Sequence, residues 1–316
     1  MSQSNSADGP RTIAVAAADP YSSLVQVDIG ALSHTGYQRA NNEDHYLVAR
    51  LGRTLQTLMT SLPAGDVPER TEEVNYVLVV ADGMGGHAAG EIASRMAISA
   101  VVSLALEVPD WIFKADEAHA LEAEQRSRTY VQEAGAMLVA RGKSDPALRG
   151  MGTTLTAVRS LGRDLIITHV GDSRAYLLRG GGLHCLTRDH TYAQLLVDLG
   201  QLTRGDIAGS RHRHVLVNAL GGAGGDVQVD TDRLQLEDGD RLLLCSDGLT
   251  DLVDDTAITS ILLEAASSSD ACQRLVQRAL DGGGRDNVTV VVAAYRLPEE
   301  AAPTRADGAA EGPSSE

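Results

Sequence analysis

Lysine and the bulky aromatics are nearly missing from this chain: 316 residues hold two lysines, Lys114 and Lys143, one tryptophan and one phenylalanine. Arginine therefore carries almost all positive charge, and 27 basic residues face 43 acidic ones, a formal net charge of −16. That balance argues against a nucleic-acid partner, because backbone phosphates need clustered cations. It leaves a phosphorylated substrate open, since bound metal ions invert the local field of an acidic site. Cysteine is scarce too. Cys185, Cys245 and Cys272 are odd in number, widely spaced and without a C-x-x-C pair. They argue against a disulfide framework or a zinc knuckle and for reduced thiols in the cytoplasm. The opening MSQSNSADGP has no basic stretch followed by an apolar run, so no signal peptide is expected. No stretch of about 18 uncharged apolar residues occurs, so no membrane span is expected.

What is present is a hydrophobic content of 43%, enough for a sizeable core. Residues 1–22 are small and polar, and 298–316 (PEEAAPTRADGAAEGPSSE) is acidic with little to pack; both ends are expected to be disordered. Residues 52–73, broken by Pro63, Gly65 and Pro68, are expected to form a loop insertion. Strand-like runs include VNYVLVVA (74–81) and VTVVVAAY (288–295), which are continuously apolar and so suit strands buried on both faces. Helical periodicity is clearest at 91–106, 117–140, 192–199 and 270–280. Helices come in pairs between groups of strands, which favours an α+β layered sandwich over a doubly wound sheet.

Five acidic motifs flank the strands: Arg39-Ala-Asn-Asn-Glu43-Asp44, Asp82-Gly83-Met84-Gly-Gly-His87, Gly171-Asp172-Ser173-Arg174, Ser246-Asp247-Gly248 and Arg285-Asp286-Asn287. One Asp-Gly alone is a turn signal and nothing more. Together they carry further, because Asp82, Asp247 and Asp286 all sit at ends of strands that read as fully buried. If those ends converge, the carboxylates repel one another unless cations lie among them. Oxygen donors without a His or Cys cluster favour Mg²⁺ or Mn²⁺ over zinc. Two such ions suit phosphate-ester hydrolysis, and Arg39 suits a bidentate grip on phosphate.

These motifs, with Ser33-His-Thr-Gly36, MGTT (151–154), VGDSRAYLLR (170–179), LTRDHT (186–191), LCSDGLTD (244–251) and GGRDNVTV (283–290), resemble in order the type 2C metal-dependent Ser/Thr protein phosphatases, particularly the bacterial ones. The resemblance covers residues 25–295. It implies a four-layer α-β-β-α sandwich with a central antiparallel β-sandwich, and a phosphatase catalytic domain over 23–297. By the same resemblance Asp82 bridges two ions, Gly83 offers its carbonyl, Asp247 and Asp286 complete one ion, and Glu43 and Asp44 hold the other. Asp172 shares a third ion with Asp247, Arg39 holds the substrate phosphate, and residues 191–225 correspond to a mobile flap. The implied cofactors are two Mn²⁺ or Mg²⁺ ions, with a third at the weaker site.

Some positions depart from the family pattern. Met84 stands where eukaryotic members carry a His proposed as general acid, which leaves His87 as the candidate for that role against a plain helix-opening one. His169 replaces a commoner Asn and is expected to pack. Ser210-Arg-His-Arg-His214 departs from the Pro-containing stretch common in the flap, and His212-Arg-His214 within it is expected to form an exposed basic patch rather than a metal site, for want of a third ligand nearby. GGAGGD (221–226) follows no convincing strand into a helix and reads as a flap hinge, not a nucleotide loop. Arg39 has an alternative role, pairing with Glu43 or Asp44 to orient them. Two rival functions remain at this point: a non-catalytic binding module of the same fold, and a serine hydrolase using Ser173, which lacks a G-x-S-x-G elbow. The expected partners are phosphorylated proteins and a bacterial Ser/Thr kinase with its substrates. Neither nucleic acid nor membrane is expected, and the chain is expected to be a cytoplasmic monomer.

Overall fold

The computed structural model describes residues 25–63, 65–85, 89–107, 117–222 and 224–297. The expectations for the two ends, 1–22 and 298–316, and for His87 lie outside the described residues. In chain order the elements are β1 (Gln26–His34), β2 (Asp44–Gln56), β3 (Arg70–Met84), α1 (Ala89–Glu107), α2 (Glu117–Ser144), β4 (Gly152–Thr153), β5 (Leu155–Leu161), β6 (Asp164–Val170), β7 (Arg174–Arg179) and β8 (Gly182–Cys185). They continue with α3 (Tyr192–Asp198), β9 (Leu220–Gly221), β10 (Asp230–Gln235), β11 (Arg241–Cys245), α4 (Asp247–Thr250), α5 (Asp255–Glu264), α6 (Ser268–Asp281) and β12 (Val288–Arg296).

Strand β12 shows why a continuous apolar run is required. Its side chains alternate between faces. Val288, Val290 and Val292 join Leu275 and Val276 of α6, while Val291, Ala293 and Tyr295 join Leu78 and Val80 of β3. Both faces are covered, so no position can be polar without cost. Strand β3 divides the same way, with Val79 and Ala81 meeting Ala93 and Ala97 of α1. Each fully buried Leu or Val contributes about 1.5–3 kcal/mol.

Those alternations generate three cores between four layers. Helices α5 and α6 cover a five-stranded sheet in the order β1-β12-β11-β7-β8. That sheet packs on a seven-stranded one, β10-β6-β5-β3-β4-β9 with β2 on β3, whose outer face carries α1 and α2. The strand pairs are antiparallel. The α-β-β-α sandwich expected from the sequence is the fold.

Three local differences have physical causes. The loop expected over 52–73 is shorter, because β2 and β3 stay in register to the pair Gln56–Arg70. Helix α5 is unannounced in the sequence, since Thr256, Ile258, Thr259 and Ile261 are β-branched and weak helix formers. Its start is fixed instead by Asp254, whose carboxylate accepts the Ala257 N–H at 2.8 Å, and its inner face by buried Ile258 and Leu262. Helix α1 holds an 18-residue window, Ala89–Leu106, that is long and apolar enough to cross a membrane, where the sequence reading expected none. Glu91 and Arg95 interrupt it, and Ala93 and Ala97 are buried in the core beneath it.

Candidate metal centre

The two sheets bring their acidic strand ends to one edge. Asp44 opens β2 and Asp82 lies near the end of β3, directly opposite it across the ladder. Asp172 lies between β6 and β7, Asp247 begins α4 immediately after β11, and Asp286 precedes β12. Because β11 pairs with both β7 and β12, their site-bearing ends cannot separate. Asp82 feels the charges of Asp44, Asp247, Asp172 and Asp286. The convergence that the sequence argument needed is therefore present.

Its electrostatic consequence is severe. Asp44 is buried, with one carboxylate oxygen accepting the Ser246 hydroxyl at 2.7 Å and the other, equally buried, meeting no hydrogen-bond partner. Burial pushes its carboxyl up to about 7; the hydroxyls of Ser246 and Thr289 offset part of this, while Asp247 and Asp286 add to it. Burial, then Asp44 and the other carboxylates, hold Asp82 well above the usual range. Asp172 is raised by burial and by Asp247, and Glu43 by burial, which Arg39 opposes. An orphaned buried oxygen amid mutually repelling oxygen donors fits a hard dication, which supplies the missing charge and accepts such ligands.

A frame of small and polar residues holds the carboxylates at this spacing. The Thr154 hydroxyl accepts the Asp82 N–H at 2.9 Å, and the Thr153 hydroxyl donates to the Asp82 carbonyl at 2.8 Å. Ser94 donates to the Glu43 carbonyl at 2.6 Å. Gly83 must be glycine, since a Cβ there would lie 2.2 Å from the Gly90 carbonyl oxygen. Asn287 is a residue whose role the sequence reading passed over. Its amide donates to the carbonyls of Thr35 and Asn41 at 2.8 and 2.9 Å, and its oxygen accepts the Glu43 N–H at 2.8 Å. One side chain thus fixes the Arg39–Asp44 loop to β12. The sole signal for it was an Asn following the acidic residue of Arg285-Asp286-Asn287.

Arg39 donates to Asp286 at 2.6 Å, with its side chain 54% exposed. That partner is neither Glu43 nor Asp44, the two weighed from sequence. His169 packs, as expected: it is buried between the Thr156 hydroxyl and the Arg188 carbonyl, and burial lowers its imidazole to about 4. Ser173 is fully buried and its hydroxyl lies 2.7 Å from that of Thr154, which removes it as a hydrolase nucleophile. His212-Arg-His214 is exposed but not simply a basic patch. The half-exposed ring of His214 faces two carboxylates, with Nδ1 3.3 Å from Asp247 and Nε2 3.2 Å from Asp251, and Nε2 accepts the Arg213 Nε–H at 2.6 Å. Hydrogen bonding to Asp247 raises its imidazole above the ordinary value. No sequence pattern announces this, because the residues that meet His214 lie on α4 and just beyond it.

The chain and its fold are similar to those of known proteins. A model of the protein phosphatase 2C family matches residues 63–282. The chain is 39% identical over 266 residues to the serine/threonine protein phosphatase PstP of Mycobacterium tuberculosis, covering 83% of this chain and 44% of the relative. It thus spans less than half the length of that protein. It is 37% identical to the serine/threonine phosphatase stp of Listeria welshimeri, over 70% of this chain and 85% of the relative. The solved PstP catalytic domain in complex with two manganese ions superposes with a TM-score of 0.66 at 36% identity, covering 86% of this chain and 99% of that one. With its fold and most of its length matched in this way, the chain belongs to the protein phosphatase 2C family.

Proposed function

We propose that this protein hydrolyses phosphoserine and phosphothreonine esters in other proteins, with Mn²⁺ or Mg²⁺ held by the carboxylates at the sheet edge. The observation that carries the reading is the clustering of Asp44, Asp82, Asp172, Asp247 and Asp286 with a buried, unpartnered oxygen on Asp44. Relatives named as Ser/Thr phosphatases, one of them solved with two manganese ions, support it. In this reading Asp82, Gly83, Asp247 and Asp286, with Glu43 and Asp44, hold two ions, and Asp172 with Asp247 a third. When bound, such ions neutralise the carboxylates, polarise the phosphoryl oxygens and make a bound water nucleophilic at neutral pH.

The chain's own residues do the rest. Arg39 leaves Asp286 and forks onto two phosphate oxygens, a geometry that a guanidinium matches. Ser246 and Thr289 keep Asp44 oriented, and Asn287 holds the loop that carries Arg39 and Glu43. His87 is assigned to protonate the leaving alkoxide on sequence grounds. Residues 191–225 are the flap beside the site. The chain works as a cytoplasmic monomer, a compartment that suits its unpaired Cys185, Cys245 and Cys272. Its partners are phosphoproteins, among them a bacterial Ser/Thr kinase and that kinase's substrates.

The test is turnover of p-nitrophenyl phosphate and of a phosphothreonine peptide by metal-stripped protein, before and after Mn²⁺ is restored. Activity should vanish with chelator and return with the ion. Turnover undiminished in excess chelator overturns the metal mechanism, and absence of turnover at saturating Mn²⁺ leaves the non-catalytic binding module instead.

A further inference from the structure

The motif LTRDHT (186–191) has no role in the chemistry proposed so far, yet its Asp189 and His190 grip both ends of the turn that carries Asp172. At one end, the Asp189 carboxylate accepts two bonds from the Arg174 guanidinium, at 2.8 and 2.6 Å. At the other, the His190 N–H donates to the Gly171 carbonyl at 2.7 Å, and the Gly171 N–H donates back to His190 Nδ1 at 3.1 Å. Gly171 needs such a grip. Its φ of +112° is one that glycine alone adopts freely, and a Cβ there would stand 2.6 Å from the Thr154 side chain. The turn therefore has no side chain at that position to steer it. The ring that steers it is itself well held, with a side chain only 14% exposed and the buried His169 ring 4.9 Å away. The Asn218 amide also reaches Nδ1, at 2.9 Å, while the Asn218 oxygen accepts the Gln228 N–H. Two N–H groups aimed at Nδ1 keep a lone pair there and put the proton on Nε2, which lies 3.1 Å from Asp230.

We propose that His190 is a positioning residue for Asp172: through Gly171 it sets where that carboxylate stands, and through Asn218 it ties that place to the base of the 191–225 segment. Both arms of the segment meet the body here. Thr191 on the outgoing arm pairs with Leu216, and the His190 carbonyl accepts the Val217 N–H at 2.9 Å from the returning one. One imidazole nitrogen thus accepts from the turn and from the returning arm, so neither shifts without loosening the other. What the ring supplies is acceptance at Nδ1, not charge and not a bond to an ion. Groups one step removed from a ligand act in this way, by fixing its orientation. The proposal rests on the functional reading only in taking Asp172 as an ion ligand.

The experiment separates the two ring nitrogens. In His190→Asn the amide oxygen falls where Nδ1 stands and accepts the Gly171 N–H, but the side chain stops short of Asp230. In His190→Gln the amide reaches Asp230 and leaves no acceptor for Gly171. Calorimetry measures Mn²⁺ affinity in the full-length, metal-stripped protein, in both variants, in Asp172→Ala, and in Asp172→Ala combined with His190→Gln. The expected result is near-parental affinity in His190→Asn and a loss of about tenfold or more in His190→Gln, the usual effect of removing a ligand's support. Adding His190→Gln to Asp172→Ala should cost nothing further, because the ring acts through that carboxylate. The reverse order of the two variants, equal losses in both, or no loss in His190→Gln overturns the proposal. So do additive losses in the double variant, or an Asp172→Ala that binds Mn²⁺ like the parent. Where a variant does not fold, hydrogen exchange at the Gly171 amide of the parent decides. Protection is expected, and exchange at the rate of an open loop removes the His190 contact on which the proposal stands. None of these readouts is turnover, so a protein that binds Mn²⁺ without hydrolysing phosphoesters sinks the phosphatase reading and not this one.

Discussion

Asp82 faces four like charges, those of Asp44, Asp172, Asp247 and Asp286, and that makes its substitution diagnostic in two directions. Asp82→Asn removes one negative charge from the cluster. With metal present, kcat should fall by about 10²–10³ or more, because electrostatic stabilisation of the transition state is the largest catalytic term. Without metal, the same variant should melt higher than the parent, since a buried repulsion has gone. A folded variant with near-normal kcat counts against the assignment; a metal-free melting temperature below the parent's counts against the repulsion argument. Arg39 is a second case. Its 2.6 Å pair with Asp286 occupies a proposed ion ligand in the metal-free chain. Arg39→Ala should therefore leave Mn²⁺ affinity unchanged or tighter while raising KM about tenfold or more, the loss expected for a charge-assisted contact. Calorimetric Mn²⁺ titration beside steady-state kinetics separates the roles. Looser Mn²⁺ binding with unchanged KM at saturating Mn²⁺ makes Arg39 a support for Asp286 and not a phosphate clamp.

At the level of elements, the site depends on loops being tied to strands, and Asn287 is the principal tie. Asn287→Ala leaves the Glu43 N–H and the Thr35 and Asn41 carbonyls without their partner in a mostly buried position. Each orphaned group costs about 1–3 kcal/mol when water cannot reach it, so a total loss near 3 kcal/mol is expected, together with weaker Mn²⁺ binding. Urea denaturation of the metal-free variant checks the first and calorimetry the second; a loss under about 0.5 kcal/mol, the ordinary surface range, rejects the tie. The contrast between Asn287 and Asp286 also shows what a sequence discloses. Asp286 was legible because an acidic residue beside an apolar run is unusual chemistry. Asn287 was not, because its partners lie roughly 250 positions away. The buried strands were legible from two-sided covering, as in β12. The far part of the β2–β3 hairpin was not, because Pro63, Gly65 and Pro68 drew attention from the register that holds to Gln56–Arg70. The surroundings of His214 were not legible for the same reason as those of Asn287: its three acidic neighbours, Asp172, Asp247 and Asp251, meet it only in the folded chain.

For the whole molecule, four layers with three cores supply the stability that lets one edge hold so much uncompensated charge. The protein should therefore respond to pH as a unit when metal is absent. Asp44 titrates at about 7 in the folded chain, against roughly 3.9 for an unfolded aspartate. Between those values the folded state binds more protons than the unfolded one, so the slope of unfolding free energy with pH is negative. The contribution of Asp44 is thus complete below about pH 4 and is lost as pH rises through 7. Asp82 and Asp172, both raised well above the usual range, push in the same direction. Mn²⁺ should reverse the trend, because ligands deprotonated for the metal bind it more tightly as pH rises, and binding to the folded state alone adds stability by mass action. Thermal melts at about pH 5.5 and about pH 8, with and without Mn²⁺, test this. The metal-free melting temperature should be lower at the higher pH, and the increment from Mn²⁺ larger there. A metal-free melting temperature that rises across this interval would show that groups buried in the neutral form, such as His169, whose imidazole burial lowers to about 4, outweigh the acidic edge. An Mn²⁺ increment that shrinks with pH would mean that the raised carboxylates are not the groups that receive the ion.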